Sequence, residues 1–282
     1  MADRTEREMR KLSTTWVEAM RLLLPESTSP VDSDPRWNCR HLTLVMVLLT
    51  DTLQTLDVSA TQRPMELWEL CRERSLAAHT LIEVARQIEE DSPEDLLPQA
   101  SSLLSTVEER LTGTRPTPAR VETLVGPARL TDHLRLTMID GVCMALASGI
   151  ALPRAVKIDA CRTLATILGQ THGGRTIELR VPPATAVQLE STTAGPDHHR
   201  GTPPNVAESD METFLALATG FLSWSQAREN GRISTSGSHV EELAEMLPVV
   251  DAAHRCGRER SSSNWVTCPR YSSYSAFLLR RK

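Results

Sequence analysis

Between residues 6 and 24 the apolar side chains Met9, Leu12, Trp16, Met20 and Leu23 recur every three or four positions, which places them on one face of an α-helix. Residues 36–57 predict a second helix around Leu42–Leu49, a run too continuously apolar for a surface helix and therefore central. Pro64 fits a first helical position, and Leu67, Leu70, Leu81, Val84 and Ile88 carry a third helix to about Glu90. Ser92-Pro93-Glu94-Asp95 reads as a helix start, with a cap, a proline and then acids against the helix dipole. That helix ends near Gly113. Thr114–Arg120 leads to a short extended piece, Val121–Val125; Gly126-Pro127 turns the chain, and a helix follows from about Thr131 to Ser148.

The pattern changes after Pro153. One further helix, about Pro153–Leu168, is closed by Gly169 and Gly173-Gly174. Thr176–Val181 then alternates Ile177, Leu179 and Val181 with polar residues, the period of a strand, and Thr185–Leu189 repeats it. After a polar stretch over 191–205 come three capping-box spacings, Ser209 to Glu212, Ser223 to Gln226 and Ser238 to Glu241. Each predicts a short helix, the last ending at Pro248, with a short strand Arg232–Ser236 among them. The expected fold class is α+β: an all-α helical bundle over 1–150, then a small mixed domain over 153–250.

Composition narrows the function classes. Apolar residues make up 40% of the chain but aromatics only 4%, so the core must be built from Leu, Ala, Val and Ile, which suits packed helices. A net charge of −5 leaves no basic face, so nucleic acid is not an expected partner. No stretch approaches the roughly 18 apolar residues of a membrane span, and the start, Met1–Lys11, is charged with both signs and is not a secretory signal. The expected location is cytoplasmic. Cys39, Cys71, Cys143, Cys161, Cys256 and Cys268 show no CxxC spacing and read as reduced thiols; Cys39 and Cys143 lie on apolar helices and read as core thiols. Residues 254–282 carry net charge +6, which leaves −11 for the rest. This tail reads as disordered, with contact to an anionic surface or nucleic acid, or a reading-frame change, as alternatives.

Ile177–Leu189, the string His199-Arg-Gly-Thr-Pro-Pro-Asn-Val206, Phe214–Gly220, Ser223-Trp224 and Gly231–Gly237 occur in an order that resembles actinobacterial sterol carrier family proteins. The resemblance covers about residues 153–248. It implies a small curved sheet with helices packed on one side, and a space between them that in the wider superfamily holds a fatty-acyl chain or sterol. Arg180 on the first strand and Arg200, Thr202 and Asn205 in the Gly/Pro-rich loop are the candidate ligand-binding residues, because a guanidinium beside an amide can clamp a carboxylate or phosphate. The alternative is that the loop is structural, with Arg200 paired to Glu208 or Asp210. His198 and His199 are adjacent, face opposite ways in a strand, and read as exposed.

The N-terminal helices resemble the bundle of the mycothiol-dependent maleylpyruvate isomerase and DinB-like family, through Trp37–Val45 and Val121–Asp132. That family joins such a bundle to a sterol-carrier-like domain. Its metal ligands are a His eight residues after the Trp and a Glu and a His four apart on the last helix; here these positions hold Val45, Asp140 and Met144. One carboxylate and a thioether do not hold zinc, so the site reads as degenerate and no cofactor is expected. A rearranged site from His41, Asp140 and Cys143 is the alternative; His41, His79 and His133 otherwise read as ordinary helix residues. The chain has no Gly-x-Ser-x-Gly, phosphate-loop or His-Glu-x-x-His motif. The leading expectation is a non-catalytic sterol-carrier-like protein that binds a lipid or other apolar small molecule. A metal- and mycothiol-dependent isomerase or transferase, and a scaffold with no ligand, are the alternatives. Ligand identity and oligomeric state are not legible in the sequence.

Overall fold

The computed structural model describes residues 2–25, 39–91, 96–191 and 205–252. They form two compact units, one within Met1–Ile150 and the other over Ala151–Ala252. The fold class is α+β: helices make up most of the first unit, and the second combines a small mixed sheet with helices. None of the described helices is long and apolar enough to cross a membrane.

The first unit comprises helices α1 (Ala2–Arg21), α2 (Cys39–Thr55), α3 (Leu67–Asp91), α4 (Leu96–Thr112) and α5 (Leu130–Ala147), with the hairpin β1 (Arg120–Thr123) and β2 (Gly126–Arg129) before α5. Helix α2 is central, packing against α3, α4 and α5; Val45, Val47, Leu48 and Leu49 are buried. In α1, Leu12, Trp16 and Met20 follow the helical spacing into the core. Trp16 cannot bury its indole N–H without a partner, and its Nε1 donates to Thr137 Oγ1 of α5 at 2.8 Å. The turn expected at Gly126-Pro127 is displaced. Leu124 and Val125 make it, and Gly126 opens β2 opposite Thr123. Gly126 has φ +126°, which a residue with a Cβ rarely adopts. The helix start expected at 92–95 lies outside the described residues.

The second unit comprises α6 (Arg154–His172), β3 (Gly173–Val181), β4 (Thr185–Leu189), β5 (Asn205–Ser209), α7 (Met211–Ala218), α8 (Trp224–Glu229), β6 (Ile233–Ser236), a 3₁₀ turn over Val240–Glu242 and α9 (Leu243–Met246). The strand order is β4-β3-β5-β6. The outer pairs are antiparallel and the central β3–β5 pair is parallel. Helix α6 packs on β3, β4 and α7. Ile177, Leu179 and Val181 are buried with Leu189, Ala207, Phe214 and Leu217, while the alternate Glu178 and Arg180 are only partly covered.

Four local expectations are corrected here. Helix α6 does not stop at Gly169 but runs to His172. Gly169 is there for space: a Cβ would stand 2.8 Å from Val187 Cγ2 on β4, so the glycine lets the strand lie close to the helix. Strand β5 was hidden at the end of the polar stretch. The N-cap of α7 is Asp210, whose side chain accepts from Thr213 N at 2.7 Å, while Ser209 still belongs to β5. Ser238 caps no helix either: the chain enters a 3₁₀ turn with no side-chain cap. Only Ser223 forms its capping box, reciprocally with Gln226.

Candidate functional site

The middle of the helical unit is charged. Arg74 of α3 keeps 4% of its surface exposed, yet carries a guanidinium. Such a charge is tolerated only if it is paired. Nη1 donates to Asp51 Oδ2 of α2 at 2.8 Å and Nε to Asp140 Oδ2 of α5 at 2.7 Å. Burial alone would lower the Arg74 pKa, but Asp140 and Asp51 outweigh it and hold the guanidinium protonated. His133 lies two turns before Asp140 on the same face of α5, with Nε2 4.0 Å from Asp51 Oδ2. Burial pushes its pKa down to about 4 against the pull of Asp51, and Arg74 adds to the depression, so the ring is neutral at pH 7. The centre thus holds two carboxylates and one guanidinium. Arg74 Nη2 and His133 Nε2 are buried without a hydrogen-bond partner.

A cleft of about 40 Å³ adjoins this centre. Leu44, Val47 and Leu48 of α2, Ala78 and Leu81 of α3 and Met144 of α5 form its apolar wall; Arg74 and Asp140 form its polar wall. On the approximate scale of ~30 Å³ per water in the liquid, this space suits one small group and not a whole lipid.

Of the degenerate metal positions, Val45 is fully buried, Met144 lines the cleft, and Asp140 is bonded to Arg74. His41 is used elsewhere: Nε2 donates to the Leu23 carbonyl at 2.9 Å, leaving Nδ1 as the acceptor 3.4 Å from Ser148 Oγ. Its pKa is lowered by burial, which the Leu23 bond partly opposes. Cys143 is buried. Among the described residues no group of three His, Cys, Asp or Glu side chains is placed to hold a metal ion. Cys39, expected in the core, is exposed at the start of α2.

In the second unit, Asn205 begins β5, 2% exposed. Its Nδ2 donates to the Thr176 carbonyl at 3.0 Å and its Oδ1 accepts from His239 N at 2.9 Å. The amide thus ties the sheet to the 3₁₀ turn. Arg180 is half-exposed and donates to Glu178 Oε2 at 2.9 Å, two residues back on the same strand face. That bond, then the charge of Glu178, raises its pKa. Arg200, Thr202, His198 and His199 lie outside the described residues. Elsewhere in this unit, Ser191 Oγ donates to Glu242 at 2.8 Å, and His239 Nδ1 stands 2.8 Å from the same carboxylate and 3.2 Å from Ser191 Oγ.

Residues 153–249 match the model of a protein family described as bacterial SCP ortholog. The match covers nearly the whole second unit, here called the SCP-like unit, and supports a sterol-carrier-like domain there. No curated protein matches the chain.

Sequence reasoning passed over Asp51 and Arg74, and took His133 for an ordinary helix residue. One signal was available. Leu70, Arg74 and Ala78 are four apart, so Arg74 falls on the buried phase of α3. Its partners, 23 and 66 residues away, carry no local mark. The Ser191, His239 and Glu242 contact joins positions 48 and 51 residues apart and was equally hidden.

Proposed function

We propose that this protein is a non-catalytic, sterol-carrier-like protein whose SCP-like unit takes up an apolar or amphipathic small molecule. The family match over residues 153–249 is the observation that carries the reading. The apolar layer made by Phe214, Leu217, Leu243 and Met246, each under 5% exposed, supplies surface of the right chemistry. Those side chains are buried, so uptake requires α7–α9 to move and uncover them.

The chemistry near the unit's edge favours binding over catalysis. Ser191 and Glu242 both address Nδ1 of His239, whereas a relay from hydroxyl to carboxylate uses the two opposite ring nitrogens. The Cys161 thiol is pushed up to about 12 by burial, helped by the charge of Glu212, and stays protonated at neutral pH. In the helical unit, Arg74 engages Asp51 and Asp140 together, which disfavours the metal- and mycothiol-dependent alternative.

A second reading, a scaffold without a ligand, is favoured by the burial of those same side chains. Native and denatured masses of the gently purified chain, recorded before and after incubation with oleic acid, separate the two. An added mass of a few hundred daltons that disappears on denaturing supports the carrier. Equal masses throughout overturn it in favour of the scaffold. An added mass of one divalent metal would overturn both and restore the enzyme.

A further inference from the structure

Resting on the carrier reading, we propose that residues 239–246 form a strap over the apolar interior of the SCP-like unit, and that the contact of Glu242 with Ser191 is the latch that holds it shut. The strap runs from His239 through the 3₁₀ turn Val240–Glu242 into α9. Its underside is apolar: Val240, Leu243 and Met246 are each under 5% exposed, while Glu241, Ala244 and Glu245 face water. The 3₁₀ turn packs on β5, and α9 packs on α8. A piece this short has no stability of its own as a helix, so its place is set by what ties it down.

The ties differ along its length. At the front, the His239 N–H donates to Asn205 Oδ1 at 2.9 Å, and the buried Asn205 amide also donates to the Thr176 carbonyl. Behind, the N–H groups of Val249 and Val250 donate to the Ala218 carbonyl at 2.9 and 3.0 Å, and that of Ala252 to the Thr219 carbonyl at 3.0 Å. Both ends are thus sewn to β5 and to the end of α7. The middle is tied by carboxylates. Glu242 accepts from Ser191 Oγ at 2.8 Å and from His239 Nδ1 at 2.8 Å. Glu241 accepts from Trp224 Nε1 at 2.6 Å and lies 3.2 Å from Arg228 Nε. These side chains are 16% and 56% exposed, so water can replace their hydrogen bonds as the middle lifts. The same exchange at Asn205 would strand a buried amide. Glu241 ties the strap to α8, on which α9 already packs. Glu242 ties it to Ser191, two residues past β4, and so sets whether the strap can lift from the sheet. Helix α7 is better held: Asp210 caps it, and its Glu212 pairs with Lys157 of α6.

Hydrogen exchange of the full chain, read by mass spectrometry over 239–250 and over α6, tests the latch. In Ser191→Ala and in Glu242→Gln the amides of 239–250 should exchange about tenfold faster, as loss of a hydrogen bond to a charged group allows, with α6 unchanged. Ser191→Thr keeps the hydroxyl and should behave as the native chain. Both faster variants should also take up oleic acid faster, read from the growth of the bound mass in native spectra, with the same amount bound at saturation. Unchanged exchange over 239–250, or equal acceleration in α6, would overturn the latch, the second by showing general loosening of the unit. A native chain that takes up no oleic acid would overturn the carrier reading instead, and the latch would then stand or fall on the exchange comparison.

Discussion

In the helical unit polar side chains run through the middle, where Asp51, Arg74 and Asp140 join α2, α3 and α5. In the SCP-like unit the middle is Phe214, Leu215, Leu217 and Leu243, and the Ser191, His239 and Glu242 cluster sits part-buried toward the surface. An apolar contact constrains neighbours only by shape, so several registers cost nearly the same. A guanidinium bridging two carboxylates, with one hydrogen bond to each, has few good geometries and a large penalty for missing them. The helical unit therefore gains a fixed register for three helices, and with it a dependence on protonation that the apolar interior lacks.

The sharpest way to break that contrast is Arg74→Met. It takes the shared cation from the buried Asp51 and the part-buried Asp140 and should destabilise the helical unit by about 3–5 kcal/mol. The urea midpoint of that unit should fall far more than that of the SCP-like unit. Replacing Asp51, Arg74 and Asp140 together by Leu, Met and Leu should recover most of the loss, because the cost comes from unpaired charge and not from lost volume. Phe214→Ala is the apolar counterpart. Removing a fully buried ring should cost the SCP-like unit about 3–4 kcal/mol through lost burial and the cavity left behind. That loss should be the same at pH 7 and pH 5.5.

Acid sharpens the comparison further. His133 has a folded pKa of about 4 against an ordinary value of 6.5. Above pH 6.5 the ring is neutral in both states and contributes nothing to the pH dependence. As pH falls below 6.5 the unfolded chain takes up a proton that the folded chain refuses, so stability declines until about pH 4, where the accumulated loss is about 3 kcal/mol. His133→Gln should remove this decline from the helical unit, read as the difference between the two chains' unfolding midpoints across that range. An unchanged pH profile in the variant would show that other groups govern the acid response. The smallest effect expected is from Asp210→Ala, which removes the N-cap of α7 and should cost the SCP-like unit about 1 kcal/mol.

The helices of the first unit were readable because their apolar residues repeat at the helical period over many turns. Trp16 and Met20 are buried where that period puts them. Strands β3 and β4 were readable for the same reason with a period of two. Strand β5 was not: Asn205–Ser209 alternates Asn, Ala and Ser on its buried side, and only pairing with β3 and β6 makes it a strand. The capping boxes show the limit of local spacing. Ser209, Ser223 and Ser238 share one pattern, and only Ser223 caps, because β5 extends through the first and a 3₁₀ turn follows the last. Asn205 was legible as a polar residue in an unusual loop, but its two backbone partners, Thr176 and His239, come from distant parts of the chain.

By itself, the sequence determined which segments are helical, that the chain changes character after Pro153, and that residues 153–248 resemble a sterol-carrier domain. These follow from periodicity and ordered motifs, which depend on near neighbours along the chain. Tertiary structure alone decided that Asp51, Arg74, His133 and Asp140 share one buried centre and that a small cleft lies against it. Those residues are spread over 90 positions on three helices, and whether a buried charge is matched or stranded depends on which helix faces meet.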